Sequence, residues 1–199
     1  MLCGLLIKLS SPGPIFFRQI RTGLEGEPFR LFKFRSMICG PSAPESLLTA
    51  SGDPRITKVG NWLRRGKIDE LPQLINVVLG QMSLVGPRPE VPLYTDRYTR
   101  EQRRILDVAP GITGLASIAF SSEELLLAGQ KDKERFYVTT LMPLKINIEL
   151  QYFRHISLWS DLRILLQTLF AISGGPRRAL TPLGDISDFS HRTDDLTSQ

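Results

Sequence analysis

The chain has 199 residues, 42% of them apolar, a net charge of +5 and a pI near 9.5, which is enough length for one domain with a real core. Its only cysteines, Cys3 and Cys39, exclude a disulfide framework and a four-cysteine zinc site and point to a reducing, cytoplasmic setting; no apolar run reaches the ~18 residues of a transmembrane helix, and the N-terminus lacks the basic leader and cleavage site of a signal peptide. The charge is uneven, with 16 Lys/Arg against 9 Asp/Glu in residues 1–105, a balance that points to phosphate as nucleic acid, nucleotide or anionic lipid.

In chain order, residues 1–9 read as the tail of an apolar helix closed by Lys8, and Ser10-Ser11-Pro12-Gly13-Pro14 breaks it. Two Phe-rich, basic runs, Ile15 to Arg21 and Phe29 to Ser36, predict a β-hairpin with a longer loop over Gly23 to Pro28. In its second strand Leu31, Lys33 and Arg35 share a face. Residues 37–52 read as a mobile loop. Val59 to Arg65 is predicted helical, with Trp62 and Leu63 facing inward. Asp69 is then a candidate N-cap, with Glu70 in the first turn and Pro72 tolerated there for want of a needed N–H. Leu71, Leu74, Ile75, Val78 and Leu79 follow at helical spacing, which predicts one buried face, and Gly80 is a C-terminal stop.

Further on, Pro87 and Pro89 hold Arg88 on a stiff loop. Residues 91–106 read as a polar, Arg-rich helical segment, and Pro110-Gly111-Ile112-Thr113-Gly114 as a tight loop. Helices are expected over Glu123 to Gly129, over Lys131 to Leu141, and from Pro143, where Leu144, Ile148 and Tyr152 recur every four residues. Ser157 opens a final helix with Leu162, Leu165, Leu166, Leu169 and Phe170 on its apolar side. Such stripes beside Trp, Tyr, Arg and Lys suit a membrane interface and an ordinary core equally.

Adjacent acids among fixed cations can hold Mg²⁺ together with substrate phosphates, act as a nucleophile, or act as a general base. Arg and Lys beside them would stabilise charge on a transferring phosphoryl group. No Walker A sequence, Gly-x-Gly-x-x-Gly or serine nucleophile elbow is present, and His155 and His191 are isolated.

Five ordered motifs carry a resemblance. They are Ser11-Pro12-Gly13-Pro14-Ile15-Phe16-Phe17-Arg18-Gln19, Phe32-Lys33-Phe34-Arg35-Ser36-Met37, Ile68-Asp69-Glu70-Leu71-Pro72-Gln73-Leu74-Ile75-Asn76-Val77, Met82-Ser83-Leu84-Val85-Gly86-Pro87-Arg88-Pro89-Glu90 and Pro110-Gly111-Ile112-Thr113-Gly114. Over roughly residues 5–172 the chain resembles the bacterial sugar transferases, the monotopic polyprenyl-phosphate phosphoglycosyl transferases. The resemblance implies transfer of a sugar 1-phosphate from a nucleoside diphosphate sugar, usually a UDP-sugar, to polyprenyl phosphate with release of UMP, at the cytoplasmic face of the bacterial inner membrane. It implies Asp69 as nucleophile, Glu70 as the Mg²⁺ contact with Asp69 beside it, Lys33, Arg35 and Arg88 as phosphate contacts, and Glu90 as a partner of Arg88.

The expected fold is α+β and helix-rich: a small β-hairpin plus amphipathic interfacial helices around one catalytic domain, residues 10–173. A remnant of a re-entrant membrane helix precedes it over 1–9, and a disordered tail follows over 174–199. Members of the family commonly continue the Pro-Gly-Ile-Thr-Gly loop with Ala-Gln, where this chain has Ala116-Ser117, and carry an Arg ahead of an acid where it has Ser121-Ser122-Glu123. Both departures bear on sugar and nucleotide selection. The partners implied are the nucleotide sugar, polyprenyl phosphate and a membrane surface, with no nucleic acid, and the oligomeric state is left open. The rival reading is a non-catalytic module binding anionic lipid or nucleic acid. It accounts for the basic half and the Phe-rich hairpin but not for Asp69 and Glu70, since acids repel a phosphate backbone unless a metal intervenes.

Overall fold

Short loops and strong breakers set the order of elements in the computed structural model, which describes residues 2–38 and 47–173 together with the backbone of 180–181 and 184–185. Helix α1 (Leu2–Ser10) ends at the Ser-Pro-Gly-Pro break. Strands β1 (Phe16–Thr22) and β2 (Pro28–Phe34) form the expected antiparallel hairpin, in register from Phe16 opposite Phe34 to Thr22 opposite Pro28. Cys39 and part of the expected mobile loop, residues 39–46, lie outside the described residues.

Helix α2 (Lys58–Arg65) begins at Thr57, whose side chain accepts from the Gly60 N–H. Leu63 is buried as expected, but Trp62 faces outward. A 3₁₀ turn at Ile68–Glu70 follows, then α3 (Gln73–Val78). Asp69 therefore caps no helix: it sits inside the turn, and Pro72 occupies the cap position of α3. Gly80 has φ +72, and its N–H donates to the Val77 carbonyl, the left-handed stop that glycine adopts without strain.

Strand β3 (Ser83–Val85) pairs in parallel with β4 (Gly111–Thr113), so the segment expected to be a tight loop is a strand. Gly86 and Gly111 pack backbone to backbone, and a Cβ on Gly111 would fall on the Gly86 main chain. Between the two strands, residues 91–106 resolve into α4 (Pro92–Thr95) and the start of a 3₁₀ segment at Gln102–Asp107 rather than one helix. Then come α5 (Leu115–Ala119), α6 (Glu123–Ala128) and α7 (Lys133–Phe136), the last running through a π turn at Tyr137–Leu141 into α8 (Met142–Phe153). Ser157 and Ser160 form a capping box at the start of α9 (Leu158–Ile172). The expected disordered tail, 174–199, lies outside the described residues except for two short antiparallel strands, β5 (Leu180–Thr181) and β6 (Gly184–Asp185).

The fold is helix-rich α+β with small sheets. One core gathers around Tyr94, Tyr137, Leu141 and Ile146, a second between α5, α8 and α9, and a third between the hairpin and Met82. No helix among the described residues is long and apolar enough to cross a membrane.

The face expected to be buried on α3 is the one that faces out. Leu71, Leu74, Ile75, Val78 and Leu79 are exposed, Val78 at 87%, while Gln73 and Asn76 are buried. Asn76 accepts from the Phe32 N–H at 3.1 Å and donates to the Arg30 carbonyl and Gln81 Oε1, each at 2.8 Å. The main-chain groups of β2 can be satisfied only by a polar side chain there, so the amide side of α3 turns inward and its leucine side outward. On α9, where the stripe suited a membrane interface and a core equally, Ile164 is buried and Leu162, Leu166, Leu169 and Phe170 face outward.

Candidate active site

Lys67 adopts a left-handed conformation (φ 54) immediately before the 3₁₀ turn and redirects the chain, so that Asp69 and Glu70 both point inward. Asp69 is only 4% exposed, and its Oδ1 has no hydrogen-bond partner. Glu70 takes cations on both oxygens. Lys33 Nζ from β2 is 3.2 Å from Oε1, Arg88 Nη1 is 3.2 Å from Oε2, and Arg88 Nη2 also pairs with Oε1. The stiff Pro87-Arg88-Pro89 segment thus delivers a two-pronged guanidinium.

These contacts push the two acids apart electrostatically. Burial, and then the neighbouring Glu70 charge, raise the Asp69 carboxyl, against the pull of Lys33, Arg64 and Lys67. Burial would raise Glu70 too, but Arg88 and Lys33 overcome it and hold Glu70 well below the usual carboxylate range. Burial pulls the Lys33 ammonium down to about 8 despite the attraction of Glu70. A carboxylate of high proton affinity with a free oxygen is suited to nucleophilic or base chemistry, and one locked between cations to positioning.

Lys33, Lys67 and Arg88 line a cavity of about 250 Å³ that opens beside the dyad and runs toward α5, α6 and α8. Asp69 and Glu70 are not part of its wall, and Glu70 is tied to it through its contacts with Lys33 and Arg88. Its far side carries Glu123, Lys145 and Glu149. Glu149 is 1% exposed. Its Oε1 accepts from the Ala116 N–H at 2.8 Å, its Oε2 is unpartnered, and burial pushes the carboxyl up to about 7. None of these three was anticipated as a site residue. The available signal was a charged pair, Lys145 and Glu149, on the stripe of an otherwise apolar helix.

Two expected phosphate-site residues stand elsewhere. Arg35 is buried, and its guanidinium donates to the carbonyls of Ile7, Ser11 and Pro12, so it ties the end of α1 to the hairpin. Its N–H still continues the hairpin, donating to the Ile15 carbonyl at 2.9 Å, while its side chain is taken by the end of α1. Glu90 pairs not with Arg88 but with Arg21, and it accepts from the Tyr137 hydroxyl and the Val91 N–H. Arg21 also donates to the Pro89 carbonyl, which braces the loop that carries Arg88.

No group of three or more His, Cys, Asp or Glu side chains that could hold a metal occurs among the described residues. Mg²⁺ needs no such cage, because it binds through one or two carboxylates plus substrate phosphates and water. The unpartnered Asp69 Oδ1 beside a second carboxylate fits that pattern.

Over 172 residues the chain is 42% identical to the UDP-glucose:undecaprenyl-phosphate glucose-1-phosphate transferase of Caulobacter vibrioides, a match covering 85% of this chain and 60% of that protein. It is 39% identical to the enzyme of the same name from Escherichia coli, covering 83% of this chain and 34% of the relative. It is also 39% identical to the UDP-N-acetylgalactosamine-undecaprenyl-phosphate N-acetylgalactosaminephosphotransferase of Aeromonas hydrophila, covering 85% and 38%. The chain therefore spans less than two thirds of the length of these relatives. The segments that build the dyad, the Arg88 loop and the hairpin all fall within residues 1–175, which match the family model described as bacterial sugar transferase, and the chain belongs to that family.

Proposed function

We propose that this chain transfers a sugar 1-phosphate from a UDP-sugar to a polyprenyl phosphate at the cytoplasmic face of the membrane, with release of UMP. The observation that carries the reading is the unpartnered oxygen of buried Asp69 next to Glu70, whose partners Lys33 and Arg88 line the cavity. The relatives named as undecaprenyl-phosphate sugar phosphotransferases support it.

Asp69 Oδ1 attacks the sugar-bearing phosphorus. A new P–O bond forms to the carboxylate, the bond to the bridging oxygen breaks, and UMP departs with that oxygen and the electron pair. An oxygen of the polyprenyl phosphate then attacks the same phosphorus. The P–O bond to Asp69 breaks, which restores the carboxylate and gives the polyprenyl-diphospho-sugar. Before the donor arrives, Lys33 and Arg88 are both paired with Glu70, which leaves one net positive charge. The incoming diphosphate competes for both cations, so they turn from Glu70 to the phosphates and stabilise charge at the reacting phosphorus. Asp69 and the released Glu70 are the residues that would hold Mg²⁺, whose chemistry here is to screen the diphosphate from the carboxylates. Arg35 and Glu90 support the site through α1 and through Arg21.

The exposed apolar sides of α1 and α9 are assigned to the membrane surface, with α1 in the place of the returning half of a re-entrant helix.

The test withholds the acceptor. Enzyme with the right nucleotide sugar and Mg²⁺ is expected to release up to one equivalent of UMP per site and to gain the mass of a sugar phosphate, mapped to Asp69. Asp69→Asn is expected to show neither, and EDTA to suppress both. Turnover with acceptor but no adduct without it would replace the covalent route by direct attack of the lipid phosphate.

A further inference from the structure

Helix α3 is built inside out, and its outward face begins at Leu71, two residues after Asp69. The face cannot turn inward, because Gln73 and Asn76 occupy the inner side and Asn76 is hydrogen-bonded to β2. Leu71, Leu74, Ile75, Val78 and Leu79 therefore leave an apolar track running about 12 Å along the helix axis. At its near end stand Lys33, Lys67 and Arg88, the cations that border the dyad. The pairing of anion-attracting charge with an apolar strip is the complement of one kind of molecule: a phosphate monoester on a long hydrocarbon chain.

We propose that the outward face of α3 is the docking track for the first isoprene units of the polyprenyl phosphate acceptor, which holds the phosphate head against Asp69. The inference rests on the transferase reading and adds where the chain of the acceptor lies. A head group that attacks a phosphorus held on Asp69 must bring one of its non-bridging phosphate oxygens to that phosphorus, which leaves the ester oxygen, and so the start of the hydrocarbon chain, a few ångströms away; the backbone that carries Asp69 leads directly into the track. The faces of α1 and α9 are not needed for this step, since neither is joined to the dyad by adjacent backbone as α3 is. The track is short, so it reads only the head-proximal units, and the remainder of the lipid stays in the bilayer.

The test needs no turnover. Binding of a series of polyprenyl phosphates, lengthened one isoprene unit at a time in a fixed detergent and without donor, is measured for the wild-type chain and for Leu74→Ser, Ile75→Ser and Val78→Ser. All three side chains are exposed, so the fold is expected to survive, and circular dichroism checks it. The wild type is expected to tighten over the first few units and then level off. In the variants that initial rise is expected to flatten, with about tenfold weaker binding of the long acceptors and little change for the shortest. A wild-type chain that binds all lengths alike, or variants that weaken every length equally, overturns the proposal. So do variants that leave the length series intact yet lose flotation on acceptor-free vesicles, because the face would then belong to the bilayer. UMP release without acceptor, run on the same preparations, reports on the transferase reading separately.

Discussion

At the scale of single residues, Arg88 and Glu149 do opposite things with burial. Arg88 makes two separate contacts to Glu70 from a proline-stiffened loop. Lysine at that position keeps the charge and loses the fork. Hydrogen bonds to charged groups contribute roughly 1.5–3 kcal/mol each, so Arg88→Lys is expected to lower kcat/KM for the nucleotide sugar by about ten- to a hundredfold while circular dichroism shows the fold retained. Wild-type kinetics from this variant would make the loop structural only.

Glu149 has no cation in hydrogen-bond contact. Burial pushes its carboxyl up to about 7, against the weaker opposing effects of the Ala116 N–H and the Lys145 charge, from an ordinary value of 4.5. The folded chain holds this proton more tightly than the unfolded chain does. The resulting stabilisation is therefore fully present below pH 4.5 and is lost as pH rises through about 7. The size is on the order of 3 kcal/mol. Urea unfolding is expected to show stability falling across that window in the wild type. The slope should be flatter in Glu149→Gln, whose amide mimics the neutral acid; an equal slope in both would locate the titration elsewhere.

At the scale of elements, α3 shows that the polar residues of a short helix can decide its orientation. Its amphipathic pattern was legible, but which side would be buried was not, because hydrophobic periodicity does not say whether an apolar stripe meets protein or lipid. The deciding groups are the Phe32 N–H and the Arg30 carbonyl, both satisfied by Asn76. Replacing Asn76 by Leu would leave them without that partner, at about 1–3 kcal/mol per orphaned group. Asn76→Leu is accordingly expected to cost several kcal/mol in chemical unfolding, whereas Val78→Ser on the open side should stay within about 0.5 kcal/mol. If the two variants are equally stable, Asn76 is not what orients α3.

At the scale of the whole molecule, apolar residues of α1, α3 and α9 face outward, among them Leu2, Leu9, Val78, Leu158, Trp159 and Leu166, the kind of surface that marks an interaction site. Lys8 adds a basic residue to α1, and Arg18 and Arg65 add others on β1 and α2. Peripheral attachment is expected: flotation with anionic vesicles at low salt, partial release at high salt, and weaker binding in Trp159→Ser and Leu166→Ser. An absence of flotation at low salt would remove the membrane from this account.

The sequence by itself determined the local punctuation and the family. Proline and glycine breaks marked the hairpin, the Arg88 loop and the end of α3, because those residues restrict or free the backbone wherever they stand. The adjacent acids and ordered motifs identified the family and singled out the dyad and its two cations, Lys33 and Arg88. Only the tertiary structure decided which long side chain went where. Arg35 shares a strand with Lys33 in the sequence pattern, yet it serves the carbonyls at the end of α1, and Glu90 follows Arg88 by two residues yet holds Arg21 and Tyr137. Glu149 reached the cavity from the far side of the chain through the packing of α8 on α5. The physical reason is common to all three. A buried charged group goes to whatever partner the packed elements bring within hydrogen-bond reach, and those partners are distant in sequence.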